Sequence, residues 1–167
     1  MRHGTVVVGL LLALTLSGCL SRGGIRDYEP KNPEEAQVVS ELLKVATGIN
    51  NKAVDILMQP YADDVYVGNF HKYLGVAARS APRTISKADL RSAYTQLFKS
   101  VKELSLDVIN FKLTLSGDRA VAEARFELLV KLEAGKFEAK QETIRNDVLW
   151  RLKRTPAGWK IQEEIYQ

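Results

Sequence analysis

The order of the hydrophobic patterns along this 167-residue chain predicts an α+β domain, with helices first and an antiparallel sheet after them. Between residues 32 and 101 apolar side chains recur at helical spacing, whereas from residue 103 onward they alternate with polar ones. Turn-forming stretches such as Ser116-Gly117-Asp118 and Thr155-Pro156-Ala157-Gly158 separate the alternating runs. These observations favour three N-terminal helices packed on a sheet within one domain.

The three helices are predicted from their caps and apolar stripes. The first begins at Asn32-Pro33, because asparagine caps helices and proline suits their first turn. Its stripe is followed by Gly48, which is expected to end it. A shorter helix is predicted from Asn50-Asn51 to Pro60. The third begins at Ser86, where Ser-Lys-Ala-Asp resembles a capping box, and its apolar face repeats every three or four residues.

A short extended piece, 61–70, and then a four-stranded antiparallel meander are predicted from alternation. In the first strand of the meander the apolar phase slips between Val108 and Ile109, which is typical of a β-bulge and predicts a bent sheet. The second strand alternates without a break from Ala120 to Leu132. The apolar faces of the last two strands contain Ile144, Val148, Trp150, Leu152, Trp159, Ile161 and Ile165. A bent sheet with helices on its concave side leaves a cone-shaped interior.

The N-terminus has the parts of an export signal. Arg2 is followed by an apolar run from Val6 to Leu16 and then by two small residues. This run of eleven residues makes a helix too short to cross a bilayer. The stretch Leu16-Ser17-Gly18-Cys19 resembles the lipobox of bacterial lipoproteins. The predicted organisation is a signal peptide at 1–18, a flexible tether at 19–31 that could extend about 40 Å, and a domain at 32–167.

The lipobox resemblance implies a chemistry and a location. In that family the cysteine thiol, here Cys19, receives a diacylglyceryl group and becomes the first residue of the mature chain. Two or more acyl chains hold a protein on a membrane almost permanently. Leu20 stands where enterobacterial lipoproteins retained at the inner membrane have aspartate. We therefore expect a lipid-anchored protein of the bacterial cell envelope, at the outer membrane and facing the periplasm.

Composition narrows the chemistry. The formal net charge is +4, with acidic and basic residues interspersed, so no nucleic-acid-binding surface is indicated. Cys19 is the only cysteine, and His71 is the only histidine after the signal peptide. A zinc site of the usual Cys/His type needs more ligands than these, and no Gly-x-Ser-x-Gly nucleophile motif is present. No metal or cofactor is predicted.

From residue 33 to residue 166 the chain resembles the nuclear-transport-factor-2-like (NTF2-like), SnoaL-like or cystatin-like superfamily. The resemblance rests on the helix order, the 86–98 helix, Tyr61-Ala62-Asp63-Asp64-Val65, and the closing Gly158-Trp159-Lys160-Ile161. It implies a cone-shaped α+β fold and allows isomerases, dehydratases, hydrolases and non-catalytic binding proteins. In the steroid isomerase branch a carboxylate base follows the Ala-Asp-Asp motif. Asn69 occupies that position here, and an amide cannot act as that base.

The candidate site residues are polar side chains predicted to face the cone. Glu163 is in phase with Trp159, Ile161 and Ile165, so a buried carboxylate there could act as acid or base. The alternative is that Glu163 is solvated, like its neighbour Glu164.

Asn146 is in phase with Trp150 and is a candidate ligand-binding group or a buried, satisfied amide. Tyr66 and Tyr94 are candidate hydroxyl donors.

Other polar residues have simpler interpretations. Asp63-Asp64 is expected at a corner where aspartate bonds its own backbone, His71 at the surface, and the two tryptophans in the core.

Two functions follow. The first is a non-catalytic domain that binds a small-molecule ligand or an envelope protein. The second is an isomerase, dehydratase or hydrolase using Glu163. Homodimerisation through the outer face of the sheet is a further alternative, although Arg119, Glu123, Arg125 and Glu127 make that face polar.

Overall fold

The computed structural model describes residues 23–73, 84–132 and 141–167. The signal peptide and Cys19 lie outside these ranges, as does the predicted hairpin at 133–136. The helices are α1 (Pro33–Asn50), α2 (Val54–Met58), α3 (Phe70–Tyr73) and α4 (Lys87–Ser100), with a 3-10 turn at Ile25–Asp27. The strands are β1 (Tyr61–Gly68), β2 (Thr84–Ile85), β3 (Val101–Ser116), β4 (Arg119–Leu132), β5 (Gln141–Thr155) and β6 (Gly158–Tyr166).

Elements α1, α2 and α4 correspond to the three helices expected from the sequence. The Asn32 side chain accepts the Glu35 backbone N–H at 2.8 Å, and Ser86 accepts that of Asp89 at 3.2 Å. Both predicted caps are therefore present. Within the described residues the short α3 and the 3-10 turn are additional to the prediction.

Gly48 does not end α1, as predicted, but lies inside it. A Cβ atom at this position would lie 2.6 Å from the Cα atom of Leu57 in α2. The glycine therefore lets the backbones of α1 and α2 approach closely, and the helix continues to Asn50.

The described strands form one six-stranded sheet in the order β2-β1-β6-β5-β4-β3. The predicted meander is its β3–β6 part, in which every neighbouring pair is antiparallel. The predicted extended piece is strand β1, which pairs parallel to β6. The sheet is therefore mixed, and the purely antiparallel prediction was wrong at this edge.

Four register shifts interrupt the pairing of the described strands, and two of them, in β3 and in β6, bear on the predictions. In β3 the register shifts between Ile109 and Lys112, and Asn110 has a φ of 55°. This bulge confirms the predicted phase slip. In β6, Ile161 pairs with Leu152 and Glu163 pairs with Arg151, so Gln162 is the extra residue. The second bulge was not predicted.

The segment 23–31, predicted to be part of a flexible tether, is packed on the domain. Ile25 is 2% exposed. The Phe111 backbone N–H donates to the Gly23 carbonyl at 3.2 Å, and the rings of Tyr28 and Phe111 meet edge to face at 5.1 Å. Tyr28 also donates to Glu35 at 3.1 Å. Residues 23–31 are therefore packed against the elements that begin at residue 33.

The core lies between α1, α4 and the inner face of the sheet. Strand β4 alternates between buried and exposed side chains over most of its length, as its sequence predicts. The seven largest fully buried side chains are aromatic: Trp150, Trp159, Tyr61, Tyr94, Tyr166, Phe70 and Phe126.

Candidate functional site

The bulge at Gln162 decides which carboxylate of β6 faces the interior. Up to Ile161 the odd-numbered residues of β6 are buried, whereas after the extra residue Glu164 and Tyr166 are buried. The prediction that Glu163 faces the cone was wrong, because it assumed one unbroken alternation along the strand.

Glu163 lies on the outer side of β6, with 37% of its side chain exposed. Its Oε2 atom accepts a hydrogen bond from Arg151 on β5 at 2.5 Å. Its register partner on β1 is Tyr66, another candidate, which is 49% exposed and lies over Gly68. Both candidates are thus placed on the outer surface, away from the cone interior.

Glu164 is fully buried and accepts hydrogen bonds from three side chains. Its Oε2 atom accepts from the Tyr61 hydroxyl at 2.6 Å and from Trp150 Nε1 at 2.7 Å. Its Oε1 atom accepts from the Tyr166 hydroxyl. The donors come from β1, β5 and β6, so this carboxyl group joins three neighbouring strands.

Two opposing effects act on the pKa of Glu164. Burial raises its pKa because the charged form loses its water, and the hydrogen bonds from Tyr166, Tyr61 and Trp150 lower it. Desolvation is the larger effect, so the pKa lies above its ordinary value. A buried carboxyl group with a raised pKa beside two phenols has the composition of an acid–base site.

Aromatic side chains pack closely around this region. The ring centroids of Phe126 lie 5.3 Å from Trp150 and 6.1 Å from Tyr166. Phe70 packs against Tyr166 at 6.4 Å and against Tyr94 at 6.3 Å. The candidate Tyr94 is therefore in the interior, as predicted, where its ring forms part of a packed cluster.

The two amides have structural partners. Asn146 is half-buried, and its Nδ2 atom donates to the Lys72 carbonyl at 3.0 Å, which holds the end of α3 to β5. Asn69 has a φ of 56° and donates to the Tyr166 carbonyl at 2.9 Å. Asn69 thus turns the chain from β1 into α3, a conformation that asparagine tolerates well.

Asp63 and Asp64 are exposed residues of β1. Lys87 donates to Asp63 at 2.8 Å and to the Tyr61 carbonyl at 2.8 Å, and this ion pair lowers the pKa of Asp63. Both aspartates line an open groove of about 550 Å³ between β1, β6, α2 and α4. Its other charged or amide side chains are Asp55, Gln59, Lys87, Arg91, Lys160 and Gln162.

His71 is half-buried in α3 rather than at an exposed loop position, and its Nδ1 atom has no hydrogen-bond partner in the structure. Trp150 and Trp159 are both core residues, as expected. Within 23–73, 84–132 and 141–167, no group of three or more His, Cys, Asp or Glu side chains is placed to hold a metal ion.

Several solved structures are similar to this chain over most of their length. The Kfla4162 protein from Kribbella flavida is 16% identical, with a TM-score of 0.67 over 80% of this chain and 89% of that one. An NTF2-like protein with a cystatin-like fold from Novosphingobium aromaticivorans is 13% identical, with a TM-score of 0.60 and 80% of each chain covered. A candidate dehydratase of the NTF2-like family from Streptomyces avermitilis is 14% identical, with a TM-score of 0.61 over 80% and 94%.

The chain has the NTF2-like fold. No protein-family model matches its sequence, and no curated protein matches it significantly. Identities of this size carry the fold and not the reaction, because NTF2-like folds host many activities. The predicted α+β class is confirmed.

Sequence reasoning missed Glu164 as the interior carboxyl group of the NTF2-like domain. The stretch Gln162-Glu163-Glu164 is polar throughout, so it fits either phase of the strand. The only local signal is Tyr166, whose large ring is buried two residues after Glu164. Aligning β6 backwards from Tyr166 rather than forwards from Trp159 would have selected Glu164.

Proposed function

We propose that this protein is a lipid-anchored component of the bacterial cell envelope whose NTF2-like domain is a non-catalytic binding module. In this proposal Cys19 bears the lipid, and the domain meets its ligand or partner on its surface rather than in the cone interior. The proposal that binding takes place on the surface rests on one observation: three hydrogen-bond donors enclose Glu164.

The lipid anchor is supported by the sequence. Leu16-Ser17-Gly18-Cys19 follows an apolar run, and the chain has no other cysteine. Among the described residues, no helix is both long enough and apolar enough to cross a membrane. An acylated Cys19 would attach the domain to the membrane without such a helix.

A binding role outside the interior is supported by how the interior polar groups are used. All three donors around Glu164 are directed at its two oxygens, and its side chain is fully buried. Asn146 and Asn69 donate to backbone carbonyls. A substrate would have to displace these bonds and the packed aromatic rings before reaching the carboxyl group.

The groove between β1 and α4 is the surface where we place ligand binding. It is open to solvent and lined by carboxylates, amides and cations. Several of these already form pairs, such as Lys87 with Asp63 and Arg91 with Asp55. A lining of alternating charge and amide groups suits a polar ligand, such as a peptide or a glycan, better than an apolar one.

A dye test addresses the interior. The anionic dye 1-anilinonaphthalene-8-sulfonate, whose aromatic rings bind apolar cavities, is added to the full chain, purified from membranes and reconstituted in nanodiscs, with empty nanodiscs as the blank. We expect no saturable increase in emission above the blank at neutral pH, because the interior is filled. Saturable binding of one dye per chain, abolished by Ala124→Trp on the inner face of β4, would contradict a closed interior.

A fractionation test addresses the anchor. The full chain and its Cys19→Ser variant are expressed in a Gram-negative host, and membranes are washed with alkaline carbonate. We expect the wild type to remain with the membranes and to incorporate labelled fatty acid. Equal retention of both chains without incorporation of label would refute the lipid anchor.

An enzymatic function is the second candidate. In it Glu164, rather than Glu163, would be the acid or base. It is favoured by the raised pKa of Glu164 and by the two tyrosine hydroxyls bonded to it. If a substrate is found, Glu164→Gln should abolish its turnover while Glu163→Gln leaves turnover intact. Turnover that survives Glu164→Gln in a folded protein would exclude this candidate.

A further inference from the structure

The N-terminal segment is packed along the free edge of the sheet. Strand β3 is the last strand in the order, so one of its edges has no neighbouring strand among the described residues. Phe111 at the β3 bulge donates its backbone N–H to Gly23, the first described residue. The buried Ile25 and the Tyr28–Phe111 ring contact extend the attachment. The chain thus joins the domain at the edge of β3.

Only Leu20, Ser21 and Arg22 separate Cys19 from this attachment. Whatever conformation they adopt, the Cα atoms of Cys19 and Gly23 are at most about 14 Å apart. A domain of this length has a radius of gyration of about 15 Å and therefore a diameter of roughly 30 Å or more. The connection is shorter than the domain is wide.

The groove between β1 and α4 lies towards the opposite edge of the sheet from β3. Its lining includes Tyr61 to Asp64 of β1 and residues 160 and 162 of β6. Strand β1 is separated from β3 by β6, β5 and β4. Four interstrand spacings correspond to about 19 Å measured along the sheet.

We infer that the β3 edge, together with residues 23–31, is the face of the domain held against the lipid headgroups, and that the β1–α4 groove faces away from the membrane. The inference rests on the proposed acylation of Cys19. With so short a connection, the β3 edge and the β1 edge cannot exchange places, because that would hold Gly23 about 19 Å or more from the bilayer, whereas the connection spans at most about 14 Å.

The surface beside the attachment fits a headgroup layer rather than the acyl core. Its exposed side chains are polar and of both signs: Arg26, Asp27, Asn110 and Lys112. Such a surface can lie in the hydrated interface, whereas burial of its charges in hydrocarbon would be costly. The orientation leaves the groove accessible to a polar ligand on the periplasmic side.

Energy transfer from introduced thiols tests the orientation. An acylated Cys19 leaves no free thiol, so Lys112→Cys and Asp64→Cys each provide a single labelling site on an exposed residue. The labelled full chains are reconstituted in phosphatidylethanolamine–phosphatidylglycerol vesicles that contain a lipophilic acceptor dye. We expect clearly higher transfer efficiency from position 112 than from position 64. Equal efficiencies, or the reverse order, would overturn the orientation.

A longer connection is the matched control. Inserting about ten Gly/Ser residues after Ser21 adds a reach of roughly 17 Å and should shrink the difference between the two positions. A difference that persists unchanged would overturn the role of the short connection. Thiol labelling of the unsubstituted chain separates the two proposals: dye bound at Cys19 would refute the anchor itself, together with this inference.

Discussion

The carboxyl group of Glu164 accepts a hydrogen bond from Trp150 Nε1 at 2.7 Å, and the two residues are direct register partners on β6 and β5. Both side chains are fully buried. This pair exists because Gln162 is an extra residue in β6, which turns Glu164 rather than Glu163 inward. The same bulge therefore puts one carboxyl group in the interior and leaves the other on the outer surface, beside Arg151.

Replacing Glu164 by glutamine should change how stability depends on pH. Because the folded state raises the pKa of Glu164, the folded protein binds its proton more tightly than the unfolded chain does. Its contribution to stability is therefore fully present below the unfolded pKa of about 4.5 and is lost as pH rises through the folded pKa. Glutamine cannot titrate. We expect the unfolding free energy of Glu164→Gln to increase relative to wild type as pH rises from about 4.5.

Urea unfolding of both proteins across pH values measures this difference. The amide also presents an N–H₂ group to donors, which adds a penalty at every pH without changing the trend. Glu163→Gln is the matched control, because Glu163 is partly exposed and paired on the outer surface. A pH-independent difference between Glu164→Gln and wild type would contradict the raised pKa.

Removing one phenol from the cluster should destabilise the protein. Tyr61→Phe deletes the donor 2.6 Å from Glu164 Oε2 and leaves a buried acceptor with fewer bonds. We expect a loss of about 1–3 kcal/mol in the free energy of unfolding, because a buried acceptor loses one of its partners. Tyr66→Phe, at an exposed position of the same strand, should change it by less than about 0.5 kcal/mol. Equal effects of the two variants would argue against the Glu164 network.

The parts of this fold that could be predicted are those determined by local pattern. Strand β4 has an unbroken alternation, and the Asn32 and Ser86 caps lie next to the residues they bond. The unpredicted features depend on distant partners. In the sequence Gly48 resembles a helix stop, and only its close contact with Leu57 shows why a glycine is needed inside the helix. Likewise Gly23-Gly24 resembles a linker, whereas the Gly23 carbonyl accepts a hydrogen bond from the Phe111 backbone N–H.

The interior carboxylate was wrongly predicted for the same reason, namely that its position depends on distant partners. Three consecutive polar residues, Gln162 to Glu164, give no local preference for one face of the strand. The residues of β6 that face the interior are determined by its pairing with β5 and by its irregular pairing with β1 between Tyr61 and Tyr66. That pairing joins segments about a hundred residues apart, which no periodicity within β6 can reveal.

Adding a methyl group at Gly48 should weaken the contact between α1 and α2. An alanine Cβ would lie 2.6 Å from backbone and side-chain atoms of Leu57, so the helices must move apart. We expect Gly48→Ala to lower the free energy of unfolding by about 1–3 kcal/mol, although alanine favours helices by about 1 kcal/mol. Gly23→Ala is the control, because no atom of the described residues other than its chain neighbours lies within 4 Å of the added Cβ. Thermal unfolding that shows Gly48→Ala at or above wild type would contradict the close approach.

The residue after the cysteine proposed to bear the lipid should control sorting in an enterobacterial host. Leu20→Asp places aspartate where retained lipoproteins have it, and the change leaves the domain from Gly23 onward untouched. We expect the wild type in the outer-membrane fraction of a sucrose gradient and Leu20→Asp in the inner-membrane fraction. Leu20→Asn serves as the size-matched control. Wild type in the inner-membrane fraction would refute the proposed outer-membrane location, and identical distributions of wild type and Leu20→Asp would refute the role of residue 20 in sorting.

The intact mass of the protein extracted from membranes tests the proposed lipid anchor. We expect one mature species that lacks residues 1–18 and has a diacylglyceryl group on Cys19, with a fragment spectrum placing the added mass on that residue. A chain that retains Met1, or a processed chain with an unmodified Cys19 thiol, would contradict it.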